Sequence, residues 1–251
     1  MECRILFTML LVSEMVLSAY GQDSIKVTNK EVANKKESRV KLIPLPVVAA
    51  NPTSGWMFGF APGAYWLMGD PSNTTLSSAL GTLIYTTKKQ LIVTAKANTF
   101  FEGDKWNMMT DIRFFLTSQP TYGLGTGPQS SKPAGTGFAD YTDNPYKPID
   151  SEQMMEFNFF RIYNTLLKRI NDTRFFAGVG YHFDYHYQIN DQLLYFDSIP
   201  NTITSHYAYS TRYGFDPEKY TSSGISLNIL YDSRDNAVNP YKGRYASSTL
   251  K

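Results

Sequence analysis

The feature that most constrains this chain is an alternation of apolar and polar side chains between Thr173 and Ile189. From Phe175 onward every odd-numbered position is apolar or aromatic, and every even-numbered position except Phe176 is polar or glycine. Strict alternation predicts an extended strand with two unlike faces. A strand that crosses a bilayer needs about 9–11 residues, and this pattern is longer. The alternative is an edge strand of a large soluble antiparallel sheet.

Among membrane proteins, the composition favours a β-barrel over a protein built from transmembrane helices. Charged residues make up 18% of the chain, aromatic residues 15%, and the mean hydropathy is −0.31. This value excludes a helical membrane protein, whereas a membrane β-barrel hides its apolar face by alternation. A tyrosine-rich soluble β protein has a similar composition. The net charge of +2 gives no reason to expect nucleic acid as a partner.

The first 39 residues have the pattern of an export signal and a linker. Residues 1–21 carry Arg4, an apolar run, and small residues at Ala19 and Gly21, as a secretory signal peptide does. Residues 22–39 are polar and charged without periodicity, which predicts a solvated linker. The mature chain is expected to begin at Gln22, after the cleavage site marked by Ala19 and Gly21. Because the only cysteine, Cys3, lies in the signal peptide, the mature chain is also expected to lack disulfides and thiolate ligands.

Residues 40–251 are predicted to form one all-β domain of nine antiparallel strands. Alternation is poor in the sixth strand, because Arg161 falls among apolar positions. A β-bulge that resets the phase and a short helix at 166–170 both remain open there. The predicted strands cover residues 40–48, 56–68, 76–86, 91–98, 106–114, 155–167, 173–189, 225–231 and 244–251.

The lengths of the connections favour a transmembrane β-barrel. Short turns are predicted near Asp70, Gly103 and Asp172, and long loops at 118–150 and 190–221. In an antiparallel order the short turns share one end and the long loops the other, as in outer-membrane barrels. We therefore expect the short turns to face the periplasm and the long loops to face outside.

The motifs that would indicate catalysis are not found. There is no zinc-helix, nucleotide-binding or serine-hydrolase elbow motif in the sequence. His182, Asp184 and His186 share one face of the opening strand, but side chains two residues apart are about 7 Å from each other. We interpret them as polar lumen lining rather than a metal or hydrolase site. No catalytic, metal or cofactor residue is assigned, and the chain is not expected to be an enzyme.

The densest polar cluster lies between the last two strands. An arginine between two aspartates can hold a connection by a bidentate pair, a proline fixes φ and a glycine permits positive φ. We interpret the cluster as a rigid structural turn. Its residues are Asp232, Arg234, Asp235, Asn236, Pro240 and Gly243.

This cluster also carries a resemblance to a known family. The run Tyr231–Asn236, followed by Asn239-Pro240 and Gly243, resembles a signature of BamA/TamA-like outer-membrane proteins, the bacterial surface antigen superfamily. Leu45–Gly59 is similar to the start of their barrel. Thr86–Gln90 and Tyr122–Gly125 are similar to segments of a Bacteroidetes-type branch. The resemblance implies an outer-membrane barrel of sixteen strands, with a seam between the first and last strands through which client proteins pass.

The chain departs from this family in two ways. Residues 22–39 are too short for a folded periplasmic domain, and the family's Arg-Gly-Phe lid-loop motif is not found. We expect nine of sixteen strands here, with about seven missing at the C-terminus. The function expected is protein insertion, translocation or surface transport. The partners are outer-membrane lipid and client outer-membrane or secreted proteins. The alternatives are a lipid-hydrolase barrel and a secreted soluble β-sheet binding protein.

Overall fold

A computed structural model describes residues 40–121, 146–148, 153–195 and 201–251. The predicted signal peptide, the linker and most of the first long loop lie outside the described residues. In the described part, the secondary structure is almost entirely antiparallel β-sheet, as predicted. None of the described helices is long and apolar enough to span a membrane.

Eleven strands form one sheet whose neighbours follow the order of the chain. A short parallel pair, β8 and β11, and one helix, α1, lie in the long connections. The elements are β1 (Lys41–Ile43), β2 (Pro46–Asn51), β3 (Gly55–Phe60), β4 (Gly63–Trp66), β5 (Ser77–Thr86), β6 (Leu91–Phe100), β7 (Trp106–Thr121), β8 (Tyr146–Pro148), β9 (Gln153–Arg169), β10 (Phe175–Asp191), β11 (Asn201–Ile203), α1 (Ser205–Arg212), β12 (Tyr220–Asp232) and β13 (Tyr245–Leu250).

The eleven strands amount to the nine predicted spans. β1 and β2 are two parts of the first span, and β3 and β4 of the second, because β1 pairs with β4 and β2 with β3 in one continuous register. The interruptions contain Pro44 and Pro62, which have no backbone N–H to donate to a ladder. Across the gap, the N–H of Ala61 donates to the carbonyl of Leu45 at 2.7 Å.

The sheet is open rather than closed. Its order begins at the first span and ends at β13. Among the described residues, these two outer spans therefore each have a paired neighbour on only one side. The prediction of an antiparallel all-β sheet is confirmed, while a closed barrel is not seen in the described part of the chain.

Both explanations offered for the sixth span are wrong. β9 is a single strand from Gln153 to Arg169 that pairs with β7 without a shift in register. Arg161 interrupts the apolar pattern because its side chain lies on the polar face, where aromatic residues also lie. The irregularity is instead in β10, where the register against β9 shifts between Tyr187 and Asn190 and Gln188 has φ of +52°.

The sheet has an apolar face and a polar face, and the apolar face is the more exposed one. We define the faces by β10, whose odd positions from Phe175 to Tyr187 lie on the apolar face and whose even positions from Phe176 to His186 lie on the polar face. The described hydrophobic core is small and lies on the polar face. It contains Leu167, Phe176 and Leu230, with Met109 packed against them.

The two long connections leave the same end of the sheet, as predicted. They follow β7 and β10, and we call this the long-loop end. The second of them is not the plain loop expected, since it contains β11 and α1. The opposite, short-turn end carries the connections 67–76, 101–105, 170–174 and 233–244. Asp104 and Asn171 adopt positive φ in two of these turns.

Gly178 lies where the backbone of β9 approaches β10 too closely for any side chain. A Cβ atom placed there would be 1.9 Å from the carbonyl oxygen of Leu166 and 2.8 Å from the Cα of Leu167. Both contacts are with backbone, which no side-chain rotation can relieve. By contrast, a Cβ on Gly224 of β12 would have no atom within 4 Å.

This difference predicts unequal costs for two matched substitutions. We expect Gly178→Ala to lower the free energy of unfolding by about 1–3 kcal/mol, because the two strands must move apart. Gly224→Ala should change it by no more than about 0.5 kcal/mol. Urea titration monitored by tryptophan fluorescence measures both. Equal costs for the two variants would contradict the close approach of β9 and β10.

Candidate functional site

The polar face holds a charged network at the centre of the long strands. Arg161 on β9 lies directly opposite Asp184 on β10. Its Nε donates to Asp184 Oδ1 at 2.7 Å and its Nη2 to Oδ2 at 3.0 Å, a bidentate pair. The hydroxyl of Tyr163 donates to Oδ2 at 2.6 Å, and the guanidinium lies 4.2 Å from the Tyr163 ring centroid. Both carboxylate oxygens of Asp184 therefore accept hydrogen bonds from residues of β9.

A second charged group lies beside the first on β7 and β6. Arg113 forms a bidentate pair with Asp111 on its own strand, at 2.8 and 2.6 Å. Lys96 approaches the same carboxylate at 4.0 Å. Arg113 lies directly opposite Arg161, and like charges in that position destabilise a sheet. Because each guanidinium is paired with its own carboxylate, the two arginines can share this row.

A serine–histidine pair lies on the same face, two residues along β10 from Asp184 toward the short-turn end. His182 Nε2 is 2.7 Å from Ser226 Oγ, across the pairing of β10 with β12. Asn228 Nδ2 donates to the same Oγ at 2.8 Å. The Tyr163 ring meets the imidazole edge-on, with centroids 4.2 Å apart. The hydrolase hypothesis required a serine next to His182 or His186, and the structure places Ser226 there.

His186 has a different environment, although it lies on the same face. Its ring stacks on Tyr220, with centroids 4.3 Å apart and planes inclined by 14°, and packs against Phe159 at 4.5 Å. Within the described ranges, no group of three or more His, Cys, Asp or Glu side chains is placed to hold a metal ion. His182 and Asp184 thus share the neighbour Tyr163, whereas His186 packs against Tyr220 and Phe159.

The connection 233–244 is held by the residues that carry the family resemblance. Arg234 donates from Nε to Asp232 Oδ1 at 2.9 Å and from Nη2 to Oδ2 at 2.7 Å, so its carboxylate partner is Asp232 and not Asp235. Arg234 Nη1 also donates to the carbonyl of Ala237 at 3.1 Å, and its guanidinium lies 4.5 Å from the Tyr245 ring centroid. The Asp232 carboxylate raises the pKa of Arg234 through these hydrogen bonds.

The other members of the cluster organise the backbone of this connection. Asp235 Oδ1 accepts from the N–H groups of Tyr241 and Lys242 at 3.0 and 3.1 Å, and the Lys242 hydrogen bond is the main cause that lowers the pKa of Asp235. Asn236 Oδ1 accepts from Val238 and Asn239. Pro240 lies exposed in the turn.

Gly243 ends this connection in a conformation that favours glycine. Its φ is +105°, and a Cβ there would be 2.3 Å from the carbonyl oxygen of Ser233. Next to it, the N–H of Arg244 donates to Ser233 Oγ at 2.9 Å. The two ends of the connection are thus held together by hydrogen bonds between Ser233 and Arg244.

An open cavity of about 650 Å³ lies among the connections of the short-turn end. Its charged lining consists of Asp104, Arg169, Asp172, Arg174 and Asp235. The buried Asp104 joins two connections to the end of β9, because it accepts from the N–H of Thr75 at 2.7 Å, from Thr75 Oγ1 at 2.6 Å and from Arg169 Nη2 at 3.3 Å. With both charge signs in its lining, the cavity shows no preference for an anion or a cation.

Sequence reasoning missed the residues on which these contacts depend. In the sequence, Arg161 stands out only as a break in the apolar pattern, and Ser226 is simply a polar position that alternates with Ile225 and Leu227. The partners of both residues lie on neighbouring strands, 23 positions away for Arg161 and 44 for Ser226. The interrupted alternation at Arg161 was the available signal, since a charged residue in a long strand needs a partner.

Comparisons of the chain with models of known protein families, with curated proteins and with solved structures find no match. What the chain does must therefore be inferred from its residues and their geometry.

The bidentate pair of Arg234 and Asp232 predicts that lysine cannot replace this arginine. Both side chains are mostly buried, with exposed fractions of 18% and 11%. Arg234→Lys keeps the charge but loses the planar fork, so we expect the free energy of unfolding to fall by about 1–2 kcal/mol. Arg244→Lys is the control, because the described hydrogen bonds of Arg244 use its backbone. Urea midpoints that shift equally in both variants would contradict this role.

Proposed function

We propose that the chain forms the wall of an outer-membrane β-barrel of the BamA/TamA-like type, with its apolar face toward lipid. The observation that carries the proposal is the inverted burial of β12. Ile225, Leu227 and Ile229 are 78%, 61% and 55% exposed. The alternating positions on the other face are nearly inaccessible: Ser226 at 2%, Asn228 at 8% and Leu230 at 2%.

Water is a poor solvent for such a face. Burying apolar surface contributes about 25 cal/mol per Å², and soluble monomers rarely expose contiguous apolar patches above a few hundred Å². The exposed apolar residues here continue across neighbouring strands, from Trp56, Phe58 and Phe60 on β3 to Val179 and Tyr181 on β10. In a bilayer, lipid would cover this apolar face, and the polar face would be in contact with water.

The height of the apolar face supports the same proposal. The apolar positions of β10 run from Phe175 to Tyr187. At about 3.3 Å per residue these two residues are about 40 Å apart along the strand, which corresponds to about 30 Å of depth at a strand tilt of about 40°. Outer-membrane barrels have an apolar band about 25 Å tall.

Aromatic residues lie at both ends of this band, where outer-membrane barrels carry aromatic girdles. Near the short-turn end they are Trp106, Phe175 and Tyr231, and near the long-loop end they are Trp56, Tyr85 and Tyr185.

The open edges fit a membrane barrel only if they are paired. An unpaired backbone N–H or C=O costs several kcal/mol in hydrocarbon. We therefore infer that in the bilayer the first span and β13 are each paired on their open side, so that the nine spans lie in a closed barrel.

The role that we propose within the family is the insertion or translocation of client proteins. The first span supports it, because proline interrupts its ladder and its β1 part pairs through only three residues, Lys41–Ile43. A strand held this weakly is easily displaced by an incoming strand. Surface transport through the polar interior is the second role. It is favoured by the water-compatible network of Arg113, Arg161 and their carboxylates.

The decisive experiment is a charge substitution on the exposed apolar face. In water, Ile225→Arg at a 78% exposed position should be nearly neutral. In a bilayer, it should lower the free energy of unfolding by about 2–4 kcal/mol. We expect the second result when the full chain is assembled in phosphatidylcholine vesicles and unfolded by urea. We also expect the chain, expressed with its own N-terminus in a Gram-negative host, to leave the envelope pellet only with detergent.

Ser222→Arg is the matched control, because Ser222 is exposed, three positions away, and lies opposite Asp184 on the polar face. It should leave stability and membrane retention unchanged. Equal stability of Ile225→Arg and the parent chain, or recovery of the parent chain in the soluble fraction, would overturn the membrane proposal and favour a secreted soluble β protein.

A further inference from the structure

We propose that Ser226 is a nucleophile for small carboxylic esters, with His182 as its general base. The proposal rests on the side-chain geometry of the polar face and does not depend on the proposed membrane function. The two reacting atoms, Ser226 Oγ and His182 Nε2, are 2.7 Å apart. Nucleophile and base within this distance are the arrangement that activates a serine.

The hydrogen bonds around Ser226 leave its hydroxyl proton available to His182. Asn228 Nδ2 lies 3.3 Å from the carbonyl oxygen of Ser226. A carbonyl can only accept, so this atom of Asn228 is the NH₂ group. The same group lies 2.8 Å from Ser226 Oγ, and Oγ is therefore the acceptor there. The hydroxyl proton of Ser226 is then available to donate to His182 Nε2, 2.7 Å away.

Nucleophilic attack uses the neutral tautomer of His182 in which Nε2 carries no proton, because only that tautomer can accept the serine proton. His182 Nδ1 is buried, and it has no hydrogen-bond partner among the described residues. The imidazole is oriented instead by the edge-on Tyr163 ring. Without a third residue to stabilise the imidazolium, we expect slow turnover.

Two glycines leave room around the pair. Gly180 lies directly opposite Ser226, and a Cβ there would be 2.5 Å from Ser226 Oγ. Gly224 lies directly opposite His182, and a Cβ there would meet nothing within 4 Å. Ser226 itself is 2% exposed, so the ester must approach from the Gly224 side, where the face is open. This space suits a small acyl group.

The reaction balances with water as the only co-reactant. Ser226 Oγ bonds to the carbonyl carbon while its proton passes to His182 Nε2, and the bond from that carbon to the alcohol oxygen breaks as the alcohol takes the proton. Water then attacks the acyl-serine, His182 accepts a proton from the water, and Oγ recovers a proton as the acid leaves. The net change is one ester and one water to one acid and one alcohol.

The test is labelling of the folded full chain with a small alkyl fluorophosphonate, which reacts with activated serines. Peptide mass spectrometry should find the adduct on Ser226, and prior unfolding in urea should abolish it. His182→Gln should slow labelling at least tenfold. Ser226→Ala should remove both the adduct and the hydrolysis of p-nitrophenyl acetate.

Two controls separate this role from a structural one. His186→Gln removes the other histidine of the same strand face, and Ser222→Ala removes a serine of the same strand that faces Asp184. Both should label at the parent rate. Absence of the Ser226 adduct in the folded parent chain, or equal labelling rates in His182→Gln and His186→Gln, would overturn the proposal whether or not the chain enters a membrane.

Discussion

The pairing of β10 with both of its neighbours is the constraint on which the rest of the polar face depends. β10 pairs with β9 from Phe176 to Asp191 and with β12 from Phe175 to His186. Because side chains alternate between faces, a slip of one residue on either side would exchange the faces of a whole strand. The observed register puts Asp184 opposite Arg161 and allows His182 to reach Ser226. The Arg161–Asp184 pair thus follows from the register of β10 with β9, and the serine–histidine pair from the register of β10 with β12.

The register itself is stabilised more by polar contacts than by a core. Among the described residues, only a few apolar side chains are buried, and the one cluster they form lies near the short-turn end around Phe176. Farther along the strands the cross-strand contacts are ion pairs, hydrogen bonds and aromatic–histidine stacks. Such contacts are directional, so they specify one register more sharply than apolar packing does. Their cost of desolvation is moderated where the charged groups stay partly exposed, as the side chains of Arg161 and Asp184 do at 23% and 15%.

The sequence was sufficient to predict the elements, because alternation and turn residues are local signals. The nine spans, the turns around Gly103 and Asp172, and the common end of the two long connections all follow from them. Three features could not be read locally. Arg161 interrupts the pattern of β9, and the residue that explains its position, Asp184, lies on another strand. The helix α1 lies in a polar connection without a strong apolar period. The contact of Ser226 with His182 depends on a register that no residue near either of them reveals.

The arginine–carboxylate cluster of the connection 233–244 shows how far a local motif can be interpreted. The types of residue predicted a rigid turn, and the four polar members each form a contact that their chemistry allows. The partner of Arg234 had two candidates in sequence, Asp232 and Asp235, and only the structure distinguishes them. Asp232 ends β12, so its side chain is already fixed by the sheet and can hold the guanidinium over Tyr245. Asp235 is free to accept backbone N–H groups across the turn instead. Asp232 therefore anchors the connection 233–244 to the sheet. Gly243, with its positive φ, lets the chain return to the sheet as β13.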